Sequence, residues 1–183
     1  MKTKNINIGK IGETAVLLEL LKQGNDYDVI NLNNIRQNYK NADLICINPE
    51  TGKSTMIQVK TGTTHNIMTG LISELDGTIP DLEKKVIGPW VFVLINEKDY
   101  TMDFYVLTKE ETIELIRTSN DWYVNGWNRQ LSSKPMVGVE VEWLEGKPSE
   151  ASKPNAKKQH PEYKSTLSET SRDRWEKITD LLD

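Results

Sequence analysis

The spacing of apolar residues changes along the chain, and each spacing predicts a different element. Residues 8–23 carry apolar positions at helical spacing, which predicts a helix with one stripe facing the core. Gly24 follows the stripe and suits the position just beyond a helix C-terminus. A short strand is predicted over 27–30 and a polar loop over 31–41. The stripe consists of Val16, Leu17, Leu20 and Leu21.

Two further apolar runs, 42–47 and 55–60, are separated by a turn sequence that contains Pro and Gly. This pattern predicts an antiparallel hairpin. If the hairpin is symmetric about the middle of its turn, Asp43 lies directly opposite Gln58. Lys60 shares a strand face with Gln58, because side chains two residues apart point the same way. A register shift of one residue would move Asp43 to the other face.

The middle of the chain contains one irregular stretch and one clear pair of strands. Residues 61–88 have a mixed pattern, for which we predict one or two short helices. Residues 90–95 are all apolar, which is typical of a strand covered on both faces. Residues 103–108 follow after a turn and predict the second strand of another hairpin.

The next elements are a capped helix, an aromatic segment and a strand. A helix is predicted over 109–118, because Thr108 and Glu111 have the spacing of a capping box. An aromatic-rich loop is predicted over 121–130, whose rings either stack on nucleic-acid bases or fill a small satellite core. Residues 137–143 alternate apolar and polar positions, which predicts a half-exposed strand. The aromatic residues are Trp122, Tyr123 and Trp127.

The composition becomes polar near residue 146, which divides the chain into three predicted parts. We predict a single α/β domain over 1–145, a polar linker over 146–168 and a C-terminal helix over 169–183. The apolar face of that helix must pack either on the core of this chain or on a second subunit. This face comprises Trp175, Ile178, Leu181 and Leu182.

Chain length, hydropathy, cysteine content and net charge exclude several classes of protein. A chain of 183 residues can bury a substantial core, and it contains no apolar run long enough to span a membrane. The sequence therefore predicts a cytoplasmic protein without a membrane partner. Cys46 is the only cysteine, so a disulfide framework and a thiolate zinc site are excluded. The net charge of −4 and the pI of about 5.4 argue against nonspecific coating of nucleic acid, although a local basic surface stays possible.

Glu13 of the first predicted helix is a candidate to join the polar residues Asp43, Gln58 and Lys60 of the hairpin. Glu13 lies one turn from the predicted start of that helix and projects from the stripe that faces the core. Glu13, Asp43 and the side-chain oxygen of Gln58 are oxygen donors of the kind that a hard divalent ion binds. The amine of Lys60 can align a water molecule or offset charge on a phosphate. The four residues together could supply the groups that metal-assisted cleavage of a phosphodiester needs.

These residues resemble the motif of the PD-(D/E)xK superfamily, the restriction-endonuclease-like nucleases. Gly12-Glu13 is similar to the family's helix motif, Asn41-Ala42-Asp43 to its strand motif, and Gln58-Val59-Lys60 to its last element. The order of predicted elements also resembles the family core over roughly the first 108 residues. The chain departs from the pattern in two places: Gln58 stands where an acidic residue is more usual, and no Pro precedes Asp43.

The resemblance implies a fold, an activity and a set of site residues. The fold would be α/β, with a mixed central sheet flanked by helices, a restriction-endonuclease-like core and a C-terminal helical extension. The activity would be that of a DNA endonuclease dependent on Mg²⁺ (or Mn²⁺), with RNA as an open alternative. Cleavage of both DNA strands by so small a domain would need a homodimer. The implied catalytic residues are Glu13, Asp43, Gln58 and Lys60, of which Glu13, Asp43 and Gln58 would bind metal.

Other interpretations of the same residues stay open at this point. Glu13 could be a first-turn carboxylate favoured by the helix dipole, and Asp43 could form an ion pair with Lys60 that joins the hairpin strands. His65 could contact phosphate, but an exposed loop histidine is the simpler interpretation. The whole chain could be a catalytically inactive domain of the same fold that binds nucleic acid or protein. It could also be a partner-binding protein whose function lies in the C-terminal helix.

Overall fold

The computed structural model describes residues 7–24, 27–35, 39–125, 133–141 and 167–183. Its elements follow the predicted order over most of this length, with one strand more than predicted. The helices are α1 (Ile8–Lys22), α2 (Leu82–Lys85), α3 (Lys109–Asn125) and α4 (Glu176–Thr179), with 3₁₀ turns at Leu32–Asn34 and Glu169–Ser171. The strands are β1 (Asp28–Asn31), β2 (Leu44–Ile47), β3 (Ser54–Gly62), β4 (Asn66–Ile72), β5 (Trp90–Ile95), β6 (Met102–Leu107) and β7 (Met136–Glu140).

The main sheet is mixed and has five strands in the order β1-β2-β3-β5-β6. Strands β3 and β5 run parallel, whereas every other neighbouring pair in this sheet is antiparallel. A parallel pair requires a crossover, and here the crossover contains β4 and α2. Strand β4 pairs with β7 in a second, two-stranded sheet. The predicted class, an α/β fold with a mixed sheet flanked by helices, is confirmed.

Each face of the main sheet is covered by its own hydrophobic core. One core joins α1 and the C-terminal segment to one face, and includes Val16, Leu44, Val59, Val91 and Trp175. The other core joins α2, α3 and the small sheet to the opposite face, and includes Ile67, Leu82, Trp90, Phe92 and Ile116. Strand β5 lies between the two cores and is almost completely buried, as its continuous apolar run predicted.

The hairpin of β2 and β3 has the predicted register. Leu44 lies opposite Ile57 and Ile47 opposite Ser54, so the next pair outward is Asp43 with Gln58. Gly52 closes the turn with φ of +72°, a left-handed conformation that glycine adopts without strain. The chain's last residues brace this turn: the Leu182 carbonyl accepts from Asn48 Nδ2 at 3.2 Å and from Thr51 Oγ1 at 2.9 Å.

Strand β4 was missed in the predicted irregular stretch, where only one short helix, α2, is found. The strand alternates strictly between exposed and buried positions. However, Met68 and Ile72 are on the exposed side, whereas the polar Thr69 is buried and donates to the Val137 carbonyl at 2.8 Å. Because one polar residue is buried and two apolar residues are exposed, the alternation of polar and apolar residues does not follow the alternation of burial.

Helix α3 is longer than predicted and ends at Asn125. Its capping box is confirmed, since the Thr108 N–H donates to Glu111 Oε2 and the Glu111 N–H donates to Thr108 Oγ1. Ser119 and Asn120 are poor helix formers, which favoured an earlier end. Both are buried, and Asn120 Nδ2 donates to the Gly77 carbonyl at 2.6 Å, so tertiary contacts outweigh propensity. The loop predicted from residue 121 is therefore wrong up to 125, and 126–130 lie outside the described residues.

The C-terminal segment packs on this chain, but not as one continuous helix. The predicted helix over 169–183 is replaced by a 3₁₀ turn and the single-turn α4. Trp175, Ile178 and Leu182 are buried in the core beside α1, whereas Leu181 is 51% exposed. Of the predicted linker, residues 146–166 lie outside the described residues. In the part of the chain that the structure describes, no helix has both the length and the apolar character needed to cross a membrane.

Candidate active site

The four predicted site residues meet in one cleft. The cleft has a volume of about 340 Å³ and is lined by Glu13, Asp43, Gln58 and Lys60, among others. Asp43 lies just before β2, and Gln58 and Lys60 lie on the face of β3 that is turned away from α1. Glu13 reaches the same space from α1. The four predicted residues therefore share one cleft, although Gln58 turns its amide nitrogen, not its oxygen, toward Asp43.

A close helix–strand contact brings Glu13 to the cleft. Gly12 of α1 is buried against β3, and a Cβ atom there would lie only 1.9 Å from Thr61 Oγ1. Only glycine permits this approach of the two backbones. The helix begins at Ile8 with Asn7 as its N-cap, whose Oδ1 accepts from the Lys10 N–H. Glu13 therefore projects from a helix that is held directly against the strand carrying the other site residues.

The Asp43 carboxylate is fixed by donors from β3. Its Oδ2 accepts the Val59 backbone N–H at 2.8 Å and a short hydrogen bond from Gln58 Nε2. Gln58 is 8% exposed, so this amide hydrogen bond lies almost out of solvent. The Asp43 main chain is bonded on both sides, since its N–H donates to the Ile57 carbonyl and its carbonyl accepts from the Leu32 N–H. Both the backbone and the side chain of Asp43 are therefore positioned before any ligand binds.

Asn33 links the two carboxylates. Its Nδ2 lies 3.2 Å from Glu13 Oε2 and 3.3 Å from Asp43 Oδ1. The distance between these two carboxylate oxygens is therefore at most the sum of the two. Asn31 Nδ2 adds a longer contact of 3.4 Å to Glu13 Oε2. The Asn31 side chain also accepts the Asn33 N–H at 2.9 Å, which shapes the 3₁₀ turn. One amide group thus occupies the position between two negative charges.

The Lys60 amine lies beside Trp90 and Gly70. Its Nζ lies 5.3 Å from the centroid of the Trp90 ring, within the range of a cation–π contact. A Cβ atom on Gly70, which has φ of +81°, would lie 3.6 Å from the same Nζ. Burial lowers the pKa of the Lys60 amine below its ordinary value, and the negative charges of Asp43 and Glu13 oppose that shift in part.

The predicted alternative of an Asp43–Lys60 ion pair is wrong. Among the residues that the structure describes, Lys60 has no ion pair, and neither does Glu13 or Asp43. The cleft therefore contains carboxylates and an amine that share a small space without contacting each other. Such a separation leaves room for a ligand between the opposite charges.

The donor set suits a hard divalent ion in type. Glu13 and Asp43 offer carboxylate oxygens, and Gln58 offers an amide oxygen after a half-turn of its side-chain amide. Asn33 Nδ2 supports this interpretation, because it lies where a bound cation would offset the repulsion between the two carboxylates. Within the described ranges, no three His, Cys, Asp or Glu side chains are grouped so as to hold a metal. A metal in this cleft would therefore depend on two carboxylates and an amide.

Sequence reasoning missed several residues of the cleft. Asn33 lies in a predicted polar loop, and Trp90 was assigned only to a buried strand; both line the cleft, as do Tyr39 and Lys85. Asn31 and Asn33 stand two apart after a strand, a spacing typical of a side-chain-capped turn, and this was the one available signal. No sequence signal pointed to Lys85, because the apolar and polar residues before β5 follow no regular spacing.

Two residue sets considered in the sequence lie elsewhere. His65 is half-buried in the bend between β3 and β4 and does not line the cleft; its carbonyl accepts the Val141 N–H at 2.8 Å. Trp122 and Tyr123 lie on α3, respectively half-buried and 38% exposed, whereas Trp127 lies outside the described residues. Neither Trp122 nor Tyr123 lines the cleft that contains Lys60.

Comparisons with models of protein families, with curated proteins and with solved structures found no significant match. The resemblance to the restriction-endonuclease-like nucleases therefore stays a prediction from the motif residues. The fold class and the geometry of the cleft stand independently of that resemblance.

Proposed function

We propose that this protein is a metal-dependent nuclease that cleaves phosphodiester bonds in DNA. The observation that carries the proposal is the arrangement of Glu13, Asp43, Gln58 and Lys60 in one cleft. The carboxylates of Glu13 and Asp43 both accept hydrogen bonds from the Asn33 amide. The Lys60 amine lies in the same cleft, beside the Trp90 ring. This is the charge distribution that a divalent cation and a phosphate would together require.

Each residue has a distinct role in the proposed reaction. The metal, when bound, would polarise the phosphate and lower the pKa of a water molecule. Glu13 and Asp43 would bind it, and the Val59 N–H holds the Asp43 carboxylate in a single orientation. Gln58 would turn its amide oxygen toward the cleft and release the hydrogen bond that it donates to Asp43.

Lys60 would orient the attacking water and offset the negative charge that develops on the phosphate. Its lowered pKa brings the amine closer to the range in which it can exchange a proton with that water. A cation–π contact with the Trp90 ring, at 5.3 Å from the amine to the ring centroid, positions the amine in the cleft. A salt bridge to Asp43 would raise the pKa of the amine and tie it to the carboxylate, so the absence of that salt bridge among the described residues supports this role.

A second candidate function follows from Gln58. An amide at this position leaves the described cleft with two carboxylates, and its nitrogen faces Asp43. The chain could therefore be a catalytically inactive domain that binds nucleic acid or a protein partner. The third alternative, a function carried by the C-terminal helix, is disfavoured, because Trp175, Ile178 and Leu182 are buried in this chain's own core.

The test is incubation of purified protein with supercoiled, linear and branched DNA and with RNA, in Mg²⁺ or Mn²⁺. We expect metal-dependent cleavage that Asp43→Ala and Lys60→Ala both abolish. Cleavage that survives both substitutions would refute the assigned site. The inactive alternative predicts no cleavage and no shift in melting temperature when metal is added.

Gln58→Glu separates the two candidates further. If the wild type is an active nuclease, a third carboxylate should strengthen Mg²⁺ binding, measured as a larger rise in melting temperature with metal. If the wild type neither cleaves nor responds to metal and Gln58→Glu gains both, the inactive alternative is supported. The homodimer and the cytoplasmic location belong to the same proposal, and sedimentation with and without DNA tests the first.

A further inference from the structure

Lys85 is the one charged residue of the α2 segment that forms no salt bridge among the described residues. Asp81 pairs with Lys84 at 2.7 Å, and Glu83 pairs with Arg117 through a short contact. Lys85 forms no ion pair, although it is half-buried. A half-buried lysine that forms no salt bridge within the described residues is available to bind an anion.

The position of Lys85 is set by the core below it. Leu82 and Val86, on either side of it, are 3% and 0% exposed and belong to the core around Trp90. The Lys85 N–H donates to the Asp81 carbonyl at 3.0 Å and the Val86 N–H to the Leu82 carbonyl at 2.9 Å. The short helix is therefore anchored, and Lys85 lines the same cleft as Glu13, Asp43 and Lys60.

The cleft thus contains two lysine amines, and neither forms a salt bridge within the described residues. Lys60 and Lys85 come from different elements, β3 and α2, and both line a volume of about 340 Å³ with Trp90. A single phosphate beside the metal ligands would use one amine. A nucleic-acid strand carries a phosphate at every nucleotide, so a second amine in the cleft matches a second backbone contact.

We propose that Lys85 is a substrate-binding residue that contacts a backbone phosphate of the nucleic acid bound in the cleft, beside the phosphate that Lys60 serves. This inference rests on the proposed function in one respect, namely that the ligand is a nucleic acid. It does not require cleavage, because the Lys85 contact contributes to the binding of the nucleic acid and not to the chemical step. Lys85 gives the cleft, which also contains Glu13 and Asp43, a second positive charge on a chain whose net charge is −4.

The experiment measures the binding of fluorescently labelled oligonucleotides by anisotropy over a series of salt concentrations. Ca²⁺ replaces Mg²⁺, since it accepts the same oxygen ligands with looser geometry. We compare the wild type with Lys85→Gln, with Lys85→Arg as the conservative variant, and with Lys84→Gln as the matched control. Lys84 is the neighbouring lysine on the same helical turn, but its side chain is 82% exposed and paired with Asp81.

We expect Lys85→Gln to weaken binding on the order of tenfold, as loss of one charged hydrogen bond does. The slope of log K against log salt should become shallower by about 0.7 to 0.9, the value for one phosphate contact. Lys85→Arg should retain most of the affinity, and Lys84→Gln should behave like the wild type. Melting temperatures of all variants show that any loss is not caused by unfolding.

The outcomes separate the two proposals. If Lys85→Gln binds like Lys84→Gln with an unchanged salt slope, this inference is overturned, and cleavage by the wild type would still support the nuclease. If the wild type binds but does not cleave, the nuclease proposal fails and the Lys85 contact is tested by the same binding data. If the wild type neither binds nor cleaves any nucleic acid, both proposals are wrong.

Discussion

Gly12 of α1 and Thr61 of β3 are in contact so close that no side chain fits between them. A Cβ atom on Gly12 would lie 1.9 Å from Thr61 Oγ1 and 3.0 Å from Thr61 Cβ. The obstructing atoms sit near the strand backbone and cannot move far. Because Glu13 is the next residue, this contact decides how far Glu13 extends into the cleft.

Gly12→Ala should therefore destabilise the protein and displace Glu13. Overpacking of a tight contact costs about 1–3 kcal/mol, and we expect a loss of this size in urea denaturation. Cleavage should fall more than the remaining folded fraction explains. Gly9→Ala is the matched control, since the nearest atom to its added Cβ is 3.9 Å away and alanine favours a helix. Equal stability of the two variants would contradict the proposed role of the contact.

Asn33→Asp should make the metal-free protein less stable and its response to metal larger. The substitution removes the amide that donates to Glu13 and Asp43 and adds a third negative charge beside them. Leaving such acceptors unsatisfied costs about 1–3 kcal/mol, so melting temperature should fall in a chelator and recover strongly in Mg²⁺. Asn34→Asp is the control, because Asn34 is exposed in the same turn. A variant that melts at the same temperature in chelator and in Mg²⁺ would argue against a metal at this position.

Cys46 gives the chain a defined pH response. Burial raises the pKa of the Cys46 thiol to about 11 from an ordinary value of 9.0, and the thiol is fully buried. The folded state therefore retains the proton more tightly than the unfolded state does. The stability that this contributes is present below pH 9 and is lost as the pH rises toward 11.

Below pH 9, Cys46→Ala should be less stable than the wild type, because the substitution leaves a cavity. Between pH 9 and 11, the unfolding free energy of the wild type should decline relative to that of Cys46→Ala. Thiol reagents should react with Cys46 only as fast as the protein opens. A constant difference between the two proteins over this range would contradict the assignment. Reaction of the thiol at the rate of a free cysteine would contradict its burial.

Trp175→Ala should destabilise the whole domain. The Trp175 ring is 5% exposed and contacts Phe104 with ring centroids 5.5 Å apart. Removing a buried tryptophan costs about 3–5 kcal/mol. Leu181→Ala is the control, since Leu181 is 51% exposed, and we expect a change within about 0.5 kcal/mol. If Trp175→Ala left stability unchanged but abolished binding of a partner, the C-terminal segment would be an interaction surface after all.

The hairpin and the chemistry of its residues were predictable because both depend on local signals. The turn sequence fixes the register, the register pairs Asp43 with Gln58, and the period of two places Lys60 on the same face. The same holds for the capping box of α3 and for the buried strand β5. In each case a few neighbouring residues carry the whole pattern.

What could not be predicted depends on contacts between distant residues. Thr69 is buried because it bonds to Val137, and α3 continues past Ser119 because Asn120 bonds to Gly77. Asn33 and Lys85 join the cleft only through the path of the loop after β1 and of the crossover between β3 and β5. The site was therefore predictable along the two strands and α1, but not across the space between elements.

The bracing of the hairpin turn by Leu182 has a consequence for the order in which the protein matures on the ribosome. The turn at Asn48 and Thr51 receives its acceptor from a residue synthesised about 130 positions later. During translation the strands that present Asp43 and Gln58 can pair, but their far end stays untethered until the last described segment has emerged and packed. The hairpin turn thus gains its C-terminal brace late in biogenesis, from a residue about 130 positions downstream.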